Sequence, residues 1–186
     1  ETKAHVEQLS EELINPKGYT GHYFSGVRKG YSGVATFCKK GFEPSKVETG
    51  FGIERFDSEG RVIATHHGDI ILFNIYFPNG QSREERLQYK LDFYDASLKH
   101  FNKLKKRGKK LVICGDYNTA HKEIDLARPK ENEETSGFLP IERKWMDKLV
   151  RNNFIDTFRM KNQDPDQYSW WSYRSAARER NVGWRI

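Results

Sequence analysis

Residues 111–130 of this chain read LVICGDYNTAHKEIDLARPK, and two interpretations of this stretch are open. The apolar run at 111–114 predicts a buried β-strand, and Asp116 and Asn118 follow it closely. Asp and Asn favour turns because their side chains hydrogen-bond to the nearby backbone, so the plain interpretation is a strand-to-loop turn. The alternative is a functional site in which the end of a strand presents an acid and an amide together.

The composition indicates one globular domain inside the cell. Of the 186 residues, 36% are hydrophobic and 31% are charged, which excludes a disordered chain. No apolar run approaches the ~20 residues that a membrane-spanning helix needs, so we expect no membrane partner. Cys38 and Cys114 both lie in strand-like apolar runs, which is typical of reduced thiols. We therefore expect a single domain over residues 1–186 that is intracellular, and cytoplasmic if the source is a prokaryote.

The charge distribution favours a polyanionic partner. The 32 Lys and Arg residues outnumber the 26 Asp and Glu residues, for a formal net charge of +6. Because this surplus is moderate, the positions of the charged residues along the chain are more informative than the net charge. Residues 173–180, YRSAARER, mix aromatic and arginine side chains and suit phosphate and base contacts. In contrast, KKRGKK at 105–110 predicts a solvated turn between a helix and a strand.

The spacing of apolar residues predicts both helices and strands. Steps of three and four residues predict helices at 3–13, 83–106 and 141–152. Short apolar runs predict strands at 19–25, 33–38, 61–66, 70–77, 111–114, 168–173 and 183–186, with a hairpin turn at 57–60. The run at 70–73 is apolar on both faces, which predicts a central strand covered on both sides. Together these elements predict a layered α/β sandwich.

Several short motifs occur in a fixed order along the chain. They are ETK at 1–3, GYSGV at 30–34, YFPNG at 76–80, GDYN at 115–118, SGFLP at 136–140, WW at 170–171 and NVGWRI at 181–186. Taken together, they resemble the motifs of the exonuclease III-type apurinic/apyrimidinic endonucleases, within the endonuclease/exonuclease/phosphatase superfamily. GDYN alone is a weak signal, but the ordered set is highly specific and spans nearly the whole chain.

The resemblance implies a fold, a cofactor and a reaction. The fold is an α/β four-layered αββα sandwich, incomplete here because the family's first strand and C-terminal segment are missing. The cofactor is a divalent metal, usually Mg²⁺ with Mn²⁺ as an alternative. The reaction is hydrolysis of the phosphodiester 5′ of abasic sites in duplex DNA, and an accompanying 3′–5′ exonuclease or 3′-phosphodiesterase activity is left open. We expect a monomer unless exposed sheet edges pair.

The resemblance also implies roles for individual residues. Glu1 is the metal-binding carboxylate, and Lys3 either holds Glu1 in place or faces the DNA. Asp116 orients or deprotonates the attacking water, Asn118 donates to the phosphate, and Tyr76 points its hydroxyl at the scissile phosphate. These residue types suit the chemistry, because Mg²⁺ takes hard oxygen ligands and keeps several waters, so that one or two carboxylates suffice. Asp116 and Asn118 are therefore interpreted as catalytic rather than as a plain turn.

Further residues match family positions that contact DNA. Those expected at the DNA backbone are Tyr31, Arg61 and Asn79. Those that match the lining of a pocket for a flipped-out, base-less sugar are Trp170, Trp184 and Ile186. An apolar pocket of this kind accepts a bare deoxyribose and excludes a nucleobase by its size. Trp170 is bulkier than the aromatic residue expected at its position.

Two alternative functions stay open. One is another hydrolase of the superfamily, such as an inositol polyphosphate phosphatase or a sphingomyelinase, although Trp170 and Trp184 argue against it. The other is a non-catalytic DNA-binding module, because the family's Ser-Asp-His motif falls outside the chain. The chain also begins at Glu1 without Met and ends in an extended apolar run. We therefore expect an internal piece of a longer protein, which by itself nicks abasic DNA feebly or not at all.

Overall fold

The computed structural model describes residues 1–81 and 83–186. Its strands are β1 (Tyr19–Phe24), β2 (Val34–Lys39), β3 (Lys46–Thr49), β4 (Val62–His67), β5 (Ile70–Tyr76), β6 (Lys110–Asp116), β7 (Trp170–Trp171) and β8 (Gly183–Trp184). Its α-helices are α1 (Glu11–Ile14), α2 (Glu54–Asp57), α3 (Glu84–Lys106), α4 (Pro140–Arg151) and α5 (Thr157–Lys161). The chain forms two compact units, the first made of Glu1–Phe77 with Asp95–Asp116 and the second of Pro78–Tyr94 with Tyr117–Ile186.

The first unit is organised around strand β5, which lies between β4 and β6 in a sheet of order β3-β4-β5-β6. Its pairing with β4 is antiparallel and its pairing with β6 is parallel. On one face of β5, Phe73 is buried and packs edge-on against Phe101 of α3, with ring centroids 5.1 Å apart. On the other face, the Asn74 side chain donates a hydrogen bond to the Ala35 carbonyl of β2 (2.8 Å). The predicted central strand, covered on both sides, is therefore confirmed.

Strands β1 and β2 form a separate antiparallel pair that packs against β4 and β5. The part of α3 that belongs to this unit buries Leu98 and Phe101, two residues of the predicted apolar stripe. The first unit thus contains a helix, a four-stranded sheet and a two-stranded sheet as successive layers. Because the two sheets meet face to face, strands β4 and β5 carry the most buried residues of the unit.

Strand β6 differs from the prediction in its burial. The run at 111–114 predicts a buried strand, yet Val112 is 47% exposed and Cys114 is exposed as well. The reason is that β6 stands at one end of the strand order, and among the residues that the structure describes it pairs only with β5. The strand therefore exists where the sequence predicts it, but it is half exposed.

The second unit combines the first part of α3 with α4, α5 and the β7-β8 pair. Tyr94 of α3 stacks on Trp145 of α4, with ring centroids 4.0 Å apart and an interplanar angle of 14°. A small apolar core lies among the loops of this unit and consists of Ala120, Leu126 and Phe138, with Trp184 and Ile186 packed against it. The single domain expected over residues 1–186 stays a prediction.

The predicted helix at 3–13 is wrong. Val6–Gln8 forms one 3₁₀ turn, and the short helix α1 begins only at Glu11. The start of the chain is irregular instead, with a φ of +52° at Lys3, and the backbone N–H groups of Thr2 and Lys3 donate to the carbonyls of Gly33 and Ser32 (2.9 and 2.8 Å). The helical spacing of the apolar residues is thus overridden by pairing with a loop that is distant in sequence.

The predicted turn at 57–60 is present, since the Gly60 N–H donates to the Asp57 carbonyl (3.0 Å), but it follows a short helix instead of joining two strands directly. Asp57 ends α2, and its carboxylate accepts hydrogen bonds from the backbone N–H groups of Phe51 and Ile53 (2.8 and 2.9 Å). This short helix lies between β3 and β4, which pair antiparallel. The sequence pattern predicts neither β3 nor α5, because both are short and lack a strong apolar period. None of the helices found at 1–81 and 83–186 has the length and apolar character needed to cross a membrane.

A substitution at Gly115 tests how closely β6 approaches β5. Its φ is +125°, and a Cβ here would lie 2.0 Å from the carbonyl oxygen of Ile75. We expect Gly115→Ala to lower the free energy of unfolding, measured in urea, by about 3 kcal/mol or more, because backbone strain and a backbone clash add. The control is Gly108→Ala, where φ is +79° with no atom within 4 Å. There only the left-handed backbone costs about 1–2 kcal/mol, and equal losses in both variants would contradict the clash.

Candidate active site

The predicted site residues divide between the two units, and each unit is described by itself. The first unit contains Glu1, Lys3, Tyr31, Arg61, Tyr76 and Asp116. The second unit contains Asn79, Asn118, Trp170, Trp184 and Ile186.

Glu1 is fixed by the loop at 30–33. Its Oε1 accepts a hydrogen bond from the backbone N–H of Ser32 (3.3 Å), and its Oε2 lies 3.3 Å from Nζ of Lys3. The backbone N–H groups of the next two residues also bind this loop, as described above. Both predicted roles of Lys3, holding Glu1 or facing the DNA, stay predictions. The carboxylate at the start of the chain is held by several contacts.

The Tyr76 hydroxyl lies beside two carboxylates. Burial raises the pKa of Tyr76 to about 12, and the negative charge of Glu1, which accepts a hydrogen bond from the phenol, acts in the same direction. The charge of Asp116 also raises this pKa, while the Arg61 guanidinium opposes the rise. Tyr76 and Asp116 are paired residues of the parallel strands β5 and β6. At neutral pH the phenol is therefore protonated, and its chemistry is that of a hydrogen-bond donor.

Arg61 is buried, with 1% of its surface exposed. Its guanidinium donates to the Tyr76 carbonyl (3.0 Å), to the Tyr31 hydroxyl (3.2 Å) and to the Glu59 carboxylate (2.5 Å). The guanidinium carbon also lies 4.6 Å from the centroid of the Tyr76 ring. The predicted contact of Arg61 with the DNA backbone stays a prediction, and in the structure these donors are directed to protein groups. These hydrogen bonds connect Arg61 to the Tyr76 backbone and to the Tyr31 side chain.

In the second unit, two amides are held together. Nδ2 of Asn79 donates to Oδ1 of Asn118 (3.3 Å), and Oδ1 of Asn79 accepts from the backbone N–H of Gln81 (2.8 Å). Asn118 has a φ of +51°, in the left-handed region that Asn tolerates better than most residues. The two amides that the sequence assigns to phosphate contacts therefore have a fixed relative orientation.

The three residues predicted to line a sugar pocket lie in one region of the second unit. Trp170 and Trp184 are opposite each other in the β7-β8 pair, so their side chains project from the same face. The Trp184 ring packs edge-on against Phe138, with centroids 6.5 Å apart, and Ile186 packs on the same small core. Trp170 is 44% exposed. The arrangement offers an exposed indole next to a half-buried one.

The sequence pattern missed an ionic network that holds β8. Asp125 is buried, and its Oδ1 accepts from Nε of Arg159 (2.8 Å) and from Nη1 of Arg185 (3.2 Å). Arg185 also donates through Nη2 to Asp156 (2.6 Å). A signal was available, because Arg185 interrupts an otherwise apolar strand end between two predicted pocket residues.

The pattern also missed a buried ion pair between Lys90 of α3 and Glu142 of α4. Lys90 is three residues after Leu87 and four before Tyr94, so it lies on the apolar stripe of α3. A lysine within an apolar stripe is a sequence signal for a buried charge. The spacing of the apolar residues alone does not reveal it.

The donor set of the first unit fits a hard divalent cation. Glu1 and Asp116 are oxygen donors whose charges both act on the Tyr76 hydroxyl. The Ser32 hydroxyl, in the loop that binds Glu1, is buried and has no hydrogen-bond partner among the described residues. The part of the chain that the structure describes holds no group of three or more His, Cys, Asp or Glu side chains placed for a metal. A cation that keeps several of its waters therefore suits these residues better than one that needs a full set of protein ligands.

Three comparisons relate the chain to known proteins. The model of the Endonuclease/Exonuclease/phosphatase family matches residues 1–186. An exodeoxyribonuclease of Bacillus subtilis is 40% identical and is covered over 72% of its length, with all of this chain aligned. A DNA-(apurinic or apyrimidinic site) endonuclease of Dictyostelium discoideum is 34% identical, and the chain spans about half of it, 51%.

A solved structure has a fold similar to that of this chain. The 3′ phosphatase NExo from Neisseria, bound to product DNA hairpin, superposes with a TM-score of 0.87 at 27% identity. The match covers 99% of this chain and 70% of the other. The α/β sandwich fold predicted from the sequence is confirmed.

The raised pKa of Tyr76 predicts a pH dependence. Because its folded-state pKa lies above the ordinary value near 10, the phenol contributes stability that is complete below about pH 10 and is lost as the pH rises toward about 12. The ionisation of tyrosines can be followed by tyrosinate absorbance as the pH is raised. When the curve of Tyr76→Phe is subtracted from that of the unchanged chain, the difference should show one tyrosine that ionises near pH 12. Tyr173→Phe, which removes a fully exposed tyrosine, is the reference. A difference curve complete at pH 10 would contradict the burial and charges described for Tyr76.

Proposed function

The chain belongs to the endonuclease/exonuclease/phosphatase family, and from this premise we propose that it hydrolyses the phosphodiester 5′ of abasic sites in duplex DNA. The observation that carries the proposal is the placement of Glu1 and Asp116 around the protonated hydroxyl of Tyr76. This combination offers acidic oxygens for a cation and for water, and a neutral donor for a phosphate oxygen. The names of the two relatives support the same class of substrate.

The proposed chemistry assigns one task to each side chain. Glu1 would hold a divalent cation, Mg²⁺ or Mn²⁺, which when bound would supply positive charge near the phosphate oxygens. The Tyr76 hydroxyl donates a hydrogen bond to a phosphate oxygen, which it can do because its raised pKa keeps the proton. The NH₂ group of Asn118 donates to the phosphate as well. Lys3 keeps the Glu1 carboxylate in place.

Asp116 orients the attacking water and accepts its proton, while the water oxygen bonds to phosphorus, the P–O bond to the departing sugar breaks, and the departing oxygen takes a proton from solvent. An ordinary Asp, with a pKa near 4, is a weak base, so the water has to be aligned for attack. Its position opposite Tyr76 in the β5-β6 pairing favours this, since both side chains then address the same phosphate. Binding of water and phosphate at fixed positions lowers the barrier through orientation as well as through charge.

Substrate selection is proposed for the β7-β8 region and for the basic surface. Trp170, Trp184 and Ile186 would surround a base-less sugar, and an intact nucleotide would be excluded by its base. Tyr31 and Asn79 would contact the DNA backbone. The net charge of +6 supports attraction to DNA without selecting a sequence. Such a substrate places the chain inside the cell, where DNA is.

A 3′–5′ exonuclease or 3′-phosphatase activity is kept as a second candidate. It is favoured by the exodeoxyribonuclease and the 3′ phosphatase among the similar proteins. The same phosphate chemistry would apply at a strand end, where no sugar has to be flipped out. Its substrate is therefore a duplex with a recessed or 3′-phosphorylated end.

One experiment tests the proposal against both alternatives. Single-turnover cleavage is measured with Mg²⁺ on a duplex that carries one stable abasic-site analogue, with EDTA as the metal control. Parallel reactions use an intact duplex, a 3′-phosphorylated duplex and an inositol polyphosphate. Metal-dependent nicking on the 5′ side of the abasic analogue supports the proposal. DNA binding without any cleavage indicates a binding module, and cleavage of the inositol polyphosphate alone indicates another hydrolase of the superfamily.

Asp116 and Asn118 can be tested separately from DNA binding. We expect Asp116→Asn and Asn118→Ala each to lower the nicking rate by about 10²–10³-fold, because each removes an interaction that forms mainly in the transition state. Affinity for abasic DNA, measured by fluorescence anisotropy, should change much less. Equal losses of rate and affinity in a folded variant would mean that these residues only maintain the loop.

Trp184 tests the sugar pocket. We expect Trp184→Ala to reduce the preference for abasic over intact duplex in competition binding, while affinity for intact duplex stays close to that of the unchanged chain, because phosphate contacts dominate it. Trp171→Ala is the matched control, since Trp171 is the neighbour of Trp170 and projects from the opposite face of the pair. A loss of stability with unchanged preference would assign Trp184 to the core alone.

A further inference from the structure

A lysine and a glutamate are buried together in the second unit. Nζ of Lys90 on α3 lies 2.6 Å from Oε1 of Glu142 on α4, and both side chains are 0% exposed. Burying two charges is costly unless the remaining donors and acceptors are also paired, and a packed apolar pair is often at least as stable. A gain in stability therefore does not explain why Lys90 and Glu142 are buried together. Their other hydrogen bonds, which go to two loops, indicate what the pair does.

Lys90 binds the loop that carries Asn118. Its Nζ donates to the Asn118 carbonyl (2.7 Å) and to Oγ1 of Thr119 (2.9 Å), as well as to Glu142. An ammonium has three protons, and these acceptors account for all three. Tyr94, one turn further along α3, donates to the Tyr117 carbonyl (2.9 Å) and bonds Thr119 Oγ1 (2.7 Å). Two side chains of one helix thus hold three consecutive loop residues.

Glu142 binds a second loop. Its Oε2 accepts from the backbone N–H groups of Gly137 (2.6 Å) and Leu139 (3.0 Å), and its Oε1 accepts from the Ser136 hydroxyl (3.1 Å). The two loops also meet directly, because the N–H of Ala120 donates to the Gly137 carbonyl (2.8 Å). The ion pair therefore joins the loop at 117–119 to the loop at 136–139, with both carboxylate oxygens bonded.

We propose that Lys90 and Glu142 are positioning residues that hold Asn118 in its phosphate-binding conformation. This inference rests on the proposed function, in which Asn118 donates to the phosphate. Asn118 has a φ of +51°, an uncommon backbone conformation for a residue other than glycine, and Lys90 binds the carbonyl of that same residue. Neither Lys90 nor Glu142 touches the substrate, and both act through the backbone of the loop.

The test uses the double variant Lys90→Met/Glu142→Gln. It removes both charges together, so neither is left buried alone, and the side-chain amide introduced at position 142 keeps an oxygen for the N–H groups of Gly137 and Leu139. The hydrogen bonds from position 90 to Asn118 and Thr119 are lost. The control is Leu149→Ala, at a buried position two turns further along α4 and outside both loops, where the loss of apolar burial lowers stability.

A double-mutant cycle with Asn118→Ala separates positioning from simple stability. We expect the double variant to lower the single-turnover nicking rate at saturating abasic DNA by at least about tenfold, since small misplacements of this kind are costly. In the Asn118→Ala background, the same double substitution should lower the rate by less than about twofold. The reason is that Asn118→Ala has already removed the phosphate contact that Lys90 and Glu142 support. Rate losses that multiply, or a loss that Leu149→Ala reproduces at equal melting temperature, would overturn the proposal.

Two further measurements keep the outcome decisive. If the double variant does not fold, Tyr94→Phe takes its place, because it removes both hydrogen bonds from the Tyr94 hydroxyl to the same loop and retains the ring stacked on Trp145. If the unchanged chain does not nick abasic DNA, the proposed function fails. Amide hydrogen exchange then tests separately whether Lys90 and Glu142 hold the loop. Exchange at 117–120 should then be faster in the double variant than in Leu149→Ala, and equal exchange would overturn the inference.

Discussion

The parallel pairing of β5 with β6 is the constraint on which the first unit's chemistry depends. It sets Tyr76 opposite Asp116 at the end of both strands, and Gly115 permits an approach that any side chain would block. Parallel strands present their carboxyl ends at the same edge, so a phenol and a carboxylate from distant parts of the sequence meet there. Because β6 stands at the end of the strand order, this edge lies beside an exposed strand.

Charge balance explains why Arg61 is buried next to this edge. Glu1 and Asp116 both raise the pKa of Tyr76, and Arg61 is the group that opposes them. A buried guanidinium is stable only when its donors are satisfied, which Glu59 and two tyrosine oxygens achieve. The arrangement leaves net negative charge around the phenol, which is the environment that attracts a divalent cation.

Local sequence patterns were sufficient for the long elements and insufficient for long-range polar contacts. Helix α3 and strand β5 were predictable, because their apolar periods extend over many residues and tertiary contacts agree with them. The start of the chain was not, since Thr2 and Lys3 pair with a loop about thirty residues away, and no local rule records such a partner. The motifs identified Asp116 and Asn118 as candidates, but the burial of Arg61 required the fold.

Buried polar networks position the loops of the second unit together with their small apolar core. Strand β8 covers only two residues, so its few ladder hydrogen bonds cannot fix the side chains at its end. Arg185 stands between Trp184 and Ile186, and it binds Asp125 and Asp156 on other segments. Since directional ionic hydrogen bonds restrict orientation more strongly than apolar contact does, a charged residue holds the apolar pair in place. The selectivity proposed for these apolar side chains thus depends on a polar interaction beneath them.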